Sequence, residues 1–494
     1  MKSILTTILF IVIAFSSTFS QVVKGYIVSD SANLTVVKIW GTHEERGFAY
    51  GYLLGDKISD MVTGYMQPVF GGFLDDARQI IIDGEDLSID SVFVYEAMAL
   101  IDGMNAAGTN VANIDYVDGL VFNSFLDVVK LLGMSAEGPG CSSLMSWGDA
   151  TMGTDLDGKS VISRHLDWSP NSTLINNQVL VIHVPSEEDE QTWAMVGFAG
   201  QMSVLSGFNQ NLAVFQHMMS DFAGVPTHGL GYEPVWLTMR KAIEKADYNN
   251  DGENNTADLR DAVNGNTMGF ADGFIITALA PSTSGDDGLI ALVAEVAPQN
   301  PKITFRDNSY SDNIPGDNLY AANSEIKRNN SNNYCTRYYA VINAIGDGTE
   351  IGSEENWQIM RDNSNGSSGN IQFMQFIPEL DIFKITVYRD GSPAYQKPSI
   401  IFSVNELFYL PMSIGQTNNN TGLKLFPNPV ENKLTVKLPE RLHGKTYSVF
   451  SMDGDVVLSG NIENGHLQIL VNGLNPGLYI FKVDGVPGVK FIIR

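Results

Sequence analysis

Between Ser413 and Gly422 the chain reads SIGQTNNNTG, a run with neither helical nor strand periodicity in its apolar residues. No regular element can be carried through such a stretch, so the residues on its two sides must fold as separate bodies, joined by a linker placed at 412–422. The C-terminal side, 423–494, is a series of short alternating runs: KLTVKL, YSVFSM, VVLSG, LQILV, LYIFKV and VKFIIR. Turn signals at Asp453-Gly454 and Asn475-Pro476-Gly477 punctuate them. That rhythm predicts a small all-β sandwich. The N-terminal side, 22–411, mixes helical and strand patterns and predicts an α+β body.

Asp and Glu number 56 against 30 Lys and Arg, a net charge of −26. A surface this acidic repels phosphate backbones and anionic lipid, so no nucleic-acid partner is expected, and it suits divalent cations. Apolar residues are 44% of the 494, which supplies large cores and excludes a disordered chain. At the N-terminus Lys2 precedes the apolar run Ile4 to Phe15, and small polar residues lead to Ser20. This pattern predicts a secretory signal peptide over 1–20, cut near Ser20/Gln21. The run is too short to span a bilayer comfortably and no other segment is apolar enough, so no transmembrane segment is expected once the signal is removed.

Residues 41–58, GTHEERGFAYGYLLGDKI, carry a capping box in Thr42 and Glu45, with a helix starting just after Thr42. Gly47, Gly51 and Gly55 then recur on one helical face. Each costs about 1 kcal/mol relative to alanine, so the stripe predicts a neighbouring backbone packed very close. Further on, the twelve residues Asp247 to Asp258 place oxygen ligands at positions 1, 3, 5 and 12, namely Asp247, Asn249, Asp251 and Asp258. Glycine occupies position 6, and Glu253 at position 7 offers its backbone carbonyl. The pattern resembles EF-hand and dockerin loops and predicts a structural Ca²⁺.

The chemistry concentrates in 138–168, GPGCSSLMSWGDATMGTDLDGKSVISRHLDW. Cys141 follows a Gly/Pro-rich turn, and two apolar runs separated by Asp157-Gly158 read as a β-hairpin. The cysteine opens the first strand, and Arg164 and Asp167 return beside it on the second. A guanidinium favours the thiolate, a carboxylate can hold an ammonium, and Gly140 leaves the 140/141 peptide bond open to a nucleophile. Other roles fit the same residues. Cys141 is also compatible with a buried structural thiol or a disulfide to Cys335, Arg164 and Asp167 with a plain ion pair, and His165 or His217 with a papain-like base. The histidines show no metal-ligand spacing, and no cofactor is expected for catalysis.

The tail resembles the C-terminal sorting domain of the type IX secretion system. The matching residues are Leu425-Phe426-Pro427-Asn428-Pro429, Met452-Asp453-Gly454, Pro476-Gly477-Leu478-Tyr479 and Lys490-Phe491-Ile492-Ile493-Arg494. The resemblance implies passage to the cell surface or the medium, with the type IX machinery as partner. A carbohydrate-binding or adhesion sandwich is the other reading.

The body resembles the penicillin acyltransferase and choloylglycine hydrolase group of N-terminal nucleophile hydrolases. It does so through Gly140-Cys141, Arg164 to Asp167 ahead of Trp168, and Ser206-Gly207-Phe208-Asn209 followed by Leu212-Ala213-Val214. Ala321-Ala322-Asn323, Cys335-Thr336-Arg337 and the leading helix at 41–58 add to it. Three features depart from the pattern: the gap from Cys141 to Arg164 is long, His165 stands where Asn is usual, and Asn211 replaces the second glycine of the turn after Gly207.

The resemblance implies a four-layer αββα fold, autocleavage between Gly140 and Cys141, and a cysteine whose freed α-amine is its own base. It further implies Arg164 beside the thiolate, Asp167 on the ammonium, Asn209 and Asn323 in the oxyanion hole and Arg337 in support. The expected substrate is a small-molecule linear amide, cleaved by hydrolysis or acyl transfer. The alternatives are an N-acyl lipid amidase of ceramidase type and a non-catalytic surface-binding protein on the same fold.

Overall fold

The computed structural model describes residues 22–135, 140–219, 223–310, 314–328, 335–364, 367–410, 424–430, 432–439, 442–451, 456–462, 466–475, 477–483 and 489–493. The expected signal peptide, the linker, and Met452, Asp453, Gly454, Pro476 and Arg494 lie outside them. The chain divides into two compact units, 1–409 and 410–494. Among the described residues no helix is long and apolar enough to cross a membrane.

In the first unit the strands are β1 Gly25–Ser31, β2 Leu34–Gly41, β3 Gly140–Ser146, β4 Val161–Asp167, β5 Gln178–Pro185, β6 Trp193–Phe198, β7 Ser206–Asn209, β8 Ala213–Met218, β9 Phe274–Leu279, β10 Ala291–Val296, β11 Ile303–Arg306, β12 Asn318–Ala321, β13 Asn370–Ile377, β14 Ile382–Val387 and β15 Ile400–Ser403. One sheet has nine strands in the order β1-β2-β5-β6-β7-β8-β9-β10-β11, and a second has six, β12-β3-β4-β13-β14-β15. Pairing is antiparallel except for β2 with β5.

The helices that matter here are α1 His43–Met61, α2 Ser91–Ala107, α3 Tyr116–Asn123, α4 Phe125–Leu131, α5 Val235–Glu244, α6 Thr256–Asn264, α7 Thr336–Ile345 and α8 Ser353–Asn363. Side-chain alternation assigns each strand face to a core. Leu180, Ile182, Phe208 and Phe215 of the nine-stranded sheet meet Met145, Ile162, Met374 and Phe376 of the six-stranded one. The opposite face of the large sheet, with Val179, Val181 and Ile276, packs on Tyr50, Leu100, Met239 and Leu259 of α1, α2, α5 and α6. Leu144, Tyr320 and Phe373 on the outer face of the small sheet pack on Tyr338, Val341 and Met360 of α7 and α8. The layers therefore run helix, sheet, sheet, helix. Because both faces of its central strands are buried, VLVI in β5 is a continuous apolar run rather than an alternating one.

Helix α1 begins with the expected capping box of Thr42 and Glu45. Its glycines lie against α2 and the segment that follows it. A Cβ on Gly47 would fall on the Glu96 carbonyl oxygen, one on Gly51 on that of Leu100, and one on Gly55 on the Thr109 hydroxyl. Gly103 of α2 answers them by touching the Phe48 carbonyl, so the two backbones approach each other directly.

Charge is buried at one end of the same helix pair. Arg240 bonds Glu96 (2.7 Å) and Glu244 (2.8 Å), and Arg46 bonds Glu244 (2.8 Å) and Glu190 (3.1 Å). His43 sits between Glu96 (2.8 Å) and Glu190 (3.0 Å).

The second unit holds a three-stranded and a four-stranded antiparallel sheet. Leu434, Val436 and Ile469 of the first share one core with Val449, Phe481 and Phe491 of the second. This is the two-sheet arrangement that the alternating runs predict.

Candidate functional site

β3 and β4 form the predicted hairpin, with Gly140 opposite Asp167, Cys141 opposite Leu166 and Ser143 opposite Arg164. Strand parity then decides which way each side chain points. Cys141, Ser143 and Arg164 share the inter-sheet face, and Asp167 points to the other.

On the inner face Arg164 Nη2 lies 3.8 Å from Cys141 Sγ and donates to the Gln216 carbonyl oxygen at 2.9 Å. Its Nε and Nη1 have no hydrogen-bond partner among the described residues, although the side chain is fully buried. Burial pushes the Cys141 thiol above its ordinary pKa while Arg164 opposes that rise, so the thiol needs a base to become a nucleophile.

A second set of groups gathers around the backbone of residue 141. Asn323 Oδ1 accepts from the Cys141 N–H at 3.1 Å, and Arg337 Nη1 donates to the Cys141 carbonyl oxygen at 3.3 Å. Arg337 also bonds Asn323 Oδ1 and lies 3.5 Å from Asp167 Oδ2. Asn370 Nδ2 donates to Asp167 Oδ1 at 2.8 Å. Gly140 has φ +102°, and a Cβ there would fall on Asn323 Oδ1. The glycine is thus required both by its backbone conformation and by the approach of Asn323, beyond the access that its small size gives.

Cys141, Arg164, Asp167, Asn323 and Arg337 come together, but Asn209 does not join them. Its Oδ1 accepts from the Asn211 and Leu212 N–H groups (2.8 and 2.7 Å), closing the β7–β8 turn. Its Nδ2 donates to the Ile243 carbonyl and to Asn254 (both 2.9 Å). It is an Asx-turn residue, and it is Gln216 and Met218, toward the far end of β8, that line the cavity with Cys141. The oxyanion role expected for Asn209 is withdrawn on that ground. Asn323 also differs from expectation, since its Nδ2 already donates to the Met218 carbonyl at 2.6 Å and its Oδ1 serves the residue-141 nitrogen.

The histidine alternatives fail on geometry. His165 bonds the Met360 carbonyl (3.1 Å) and Asn370 (2.8 Å), stacks on Phe373, and is pushed by burial down to about 3. His217 Nε2 accepts from the Ser143 hydroxyl at 2.9 Å, and its Nδ1 faces the Ala322 carbonyl at 3.2 Å. Neither ring bonds Cys141 Sγ. Both cysteines are free thiols, so the disulfide alternative falls as well.

An apolar cavity opens at Cys141, lined by Phe122, Phe125, Phe198, Leu205, Met218 and Trp236 together with Gln201 and Gln216. None of these, nor Asn370, was signalled by the sequence. They come from separate elements, and only sheet pairing and helix packing bring them together.

In the Asp247–Asp258 loop Gly252 has φ +94°, and its N–H donates to Asp247 Oδ2 at 2.8 Å. Asn249 and Asp251 accept from the N–H groups of Asp251 and Glu253 (3.1 and 3.0 Å). Asp258 accepts from Tyr248 and Asn255 (2.6 and 2.8 Å) at the start of α6. The sharp turn at position 6 is present. Each oxygen that accepts one N–H keeps a second lone pair, so the residues suit a hard cation.

The two sheets of the second unit carry the tail's own identity. Residues 424–494 match the secretion system C-terminal sorting domain. The protein is therefore exported through the type IX secretion system and is secreted or held at the cell surface.

The chain is 22% identical over 240 residues to protein dcd1B of Dictyostelium discoideum, a match that covers 44% of this chain and 43% of that protein. Among solved structures, an N-acylethanolamine-hydrolyzing acid amidase ortholog of Caenorhabditis elegans shows 13% identity and a TM-score of 0.32. It covers 53% of this chain and all of its own. PorZ, a surface component of the type IX secretion system of Porphyromonas gingivalis, shows 13% identity and a TM-score of 0.14 over 23% of this chain and 15% of its own. Both structural likenesses are too low to carry an argument.

Proposed function

We propose that the first unit is a self-processing cysteine N-terminal nucleophile hydrolase that cleaves non-peptide linear amides outside the cell. One observation carries the reading: separate charged and polar groups converge on both reactive ends of residue 141, its sulfur and its backbone. Arg164 is at its sulfur, and Asn323 and Arg337 are at its backbone. A structural thiol has no use for that second set.

In activation, Cys141 Sγ attacks the Gly140 carbonyl carbon. The C–N bond breaks with a proton passing to the Cys141 nitrogen, and water hydrolyses the resulting thioester. The Gly140 carboxylate and a free α-amine remain. An α-amine has a pKa of about 7.7–8.0, so it can take the thiol proton near neutral pH. Asn323 Oδ1 already accepts from this nitrogen and Asp167 sits with Arg337 beside it, so the ammonium meets acceptors once formed. The thiolate, facing Arg164, attacks the substrate amide. The amine leaves with a proton from the ammonium, and water releases the acid from the acyl-thioester. An exported enzyme has little access to acyl-coenzyme A, which favours water over an acceptor amine. The apolar lining supports an apolar acyl group, and so favours the N-acyl lipid amidase alternative over small polar amides.

N-terminal sequencing of the exported, active protein tests this reading. A fragment beginning at Cys141 is expected; one unbroken chain that still hydrolyses N-acyl amides rules out the amine-as-base mechanism.

We also propose a structural Ca²⁺ in the Asp247–Asp258 loop. Chelation should lower the thermal midpoint and saturating Ca²⁺ should restore it, as for any ligand that binds the native state alone. A midpoint indifferent to both removes the ion.

A further inference from the structure

We propose that Gln201 and Gln216 select a substrate whose apolar chain carries a neutral, accepting oxygen such as a ketone or an ether. The inference rests on the cavity beside Cys141 being the acyl site. Both glutamines line it, and both are oriented by partners that leave no choice of amide rotamer. Gln201 Oε1 accepts from the Phe198 N–H at 2.9 Å, which turns its Nε2 away from that backbone. No acceptor for this Nε2 exists among the described residues.

Gln216 Oε1 accepts from the Trp236 indole N–H at 3.1 Å, and its Nε2 finds only Met218 Sδ, at 3.6 Å, a weak acceptor. Gln216 is also the residue whose carbonyl takes the same Arg164 nitrogen that faces the sulfur. A largely apolar cavity, whose lining also includes Tyr65 and Asp167, thus holds two fixed sets of amide donors in the same space as Cys141. A plain hydrocarbon chain buries those donors unpaired, whereas a chain oxygen pairs them. No Lys or Arg side chain lines the cavity among the described residues, so a carboxylate is not the fitting acceptor.

The experiment compares saturated fatty N-acyl glycines with chain-matched analogues bearing one ketone or ether oxygen at successive positions. In the wild-type protein at least one oxygenated analogue should exceed the plain amide in kcat/KM by about tenfold or more. Gln201→Leu and Gln216→Leu should each lose that preference while still yielding the chain that begins at Cys141, which certifies their fold. Equal kcat/KM at every oxygen position in the wild type overturns the proposal and leaves the hydrolase reading standing. If neither class is turned over, quenching of the fluorescence of Trp168 and Trp236, which both line the cavity, by the same amides decides. Tighter binding of an oxygenated analogue sustains the selection although the hydrolase reading falls, and equal binding overturns it.

Discussion

Cys141→Ala should leave the chain unbroken at 140/141 and abolish amide hydrolysis, with the fold intact. Alanine fits the space that the buried thiol occupies and keeps the backbone N–H that Asn323 accepts, so little stability is lost. What disappears is the sulfur proposed to open the Gly140–Cys141 bond and, later, the substrate amide. Removing a covalent nucleophile lowers kcat by about 10⁴ or more, and here it also prevents the base from being made. Intact mass reads the processing, and an N-acyl amide assay reads the turnover. Cys141→Ser separates the two requirements: a hydroxyl keeps the geometry but is a poorer nucleophile, so slow processing with trace turnover is expected. An alanine variant that still yields a chain starting at residue 141 assigns the cleavage to another protease and ends the self-processing reading.

The part of this site that was legible in the sequence is the part that a single hairpin contains. Cys141, Arg164 and Asp167 lie on one β-turn-β unit, and the odd spacing from Arg164 to Asp167 sends them to opposite faces. The glycine stripe was equally readable, because the propensity cost of Gly47, Gly51 and Gly55 demanded a close neighbour and α2 is that neighbour. Asn209 was misread because a G-x-N turn looks the same whether its asparagine faces a substrate or closes its own loop. The deciding contacts, to Ile243 and Asn254, are remote in sequence. Asn370 and Gln216 were unreadable for a related reason. Their place at the site follows from β13 pairing with β4 and from the large sheet facing the small one, which no local pattern encodes.

The buried charge cluster should dominate the stability of the first unit. Arg240→Met leaves Glu96 and Glu244 buried with a cation missing, and breaking such a pair costs about 3–5 kcal/mol. The cluster is also where pH acts. His43 is held by Glu96 of α2 and Glu190 of the β5–β6 connection, with Glu244 and Arg240 of α5 and Arg46 of α1 around it. Burial alone lowers its pKa, but the carboxylate bonds prevail and raise it from 6.5 to about 9.

A folded-state pKa above the unfolded one means stability that is fully present below pH 6.5 and is lost as pH rises through about 9. The contribution is on the order of 3 kcal/mol. Cys141→Ala is the right background for the measurement, because it keeps the chain whole. Its thermal midpoint should fall steadily from pH 6.5 to pH 9, and His43→Gln should flatten that fall. In the processed protein the same titration reaches further. His43, Arg46 and Glu96 precede the proposed cleavage point, whereas Glu190, Arg240 and Glu244 follow it, so these ion pairs would join the two proposed fragments. Raising the pH through His43 should therefore weaken their association. A midpoint that stays level or rises over this interval would mean that His43 is neutral in the folded protein and that the arginines alone balance the cluster.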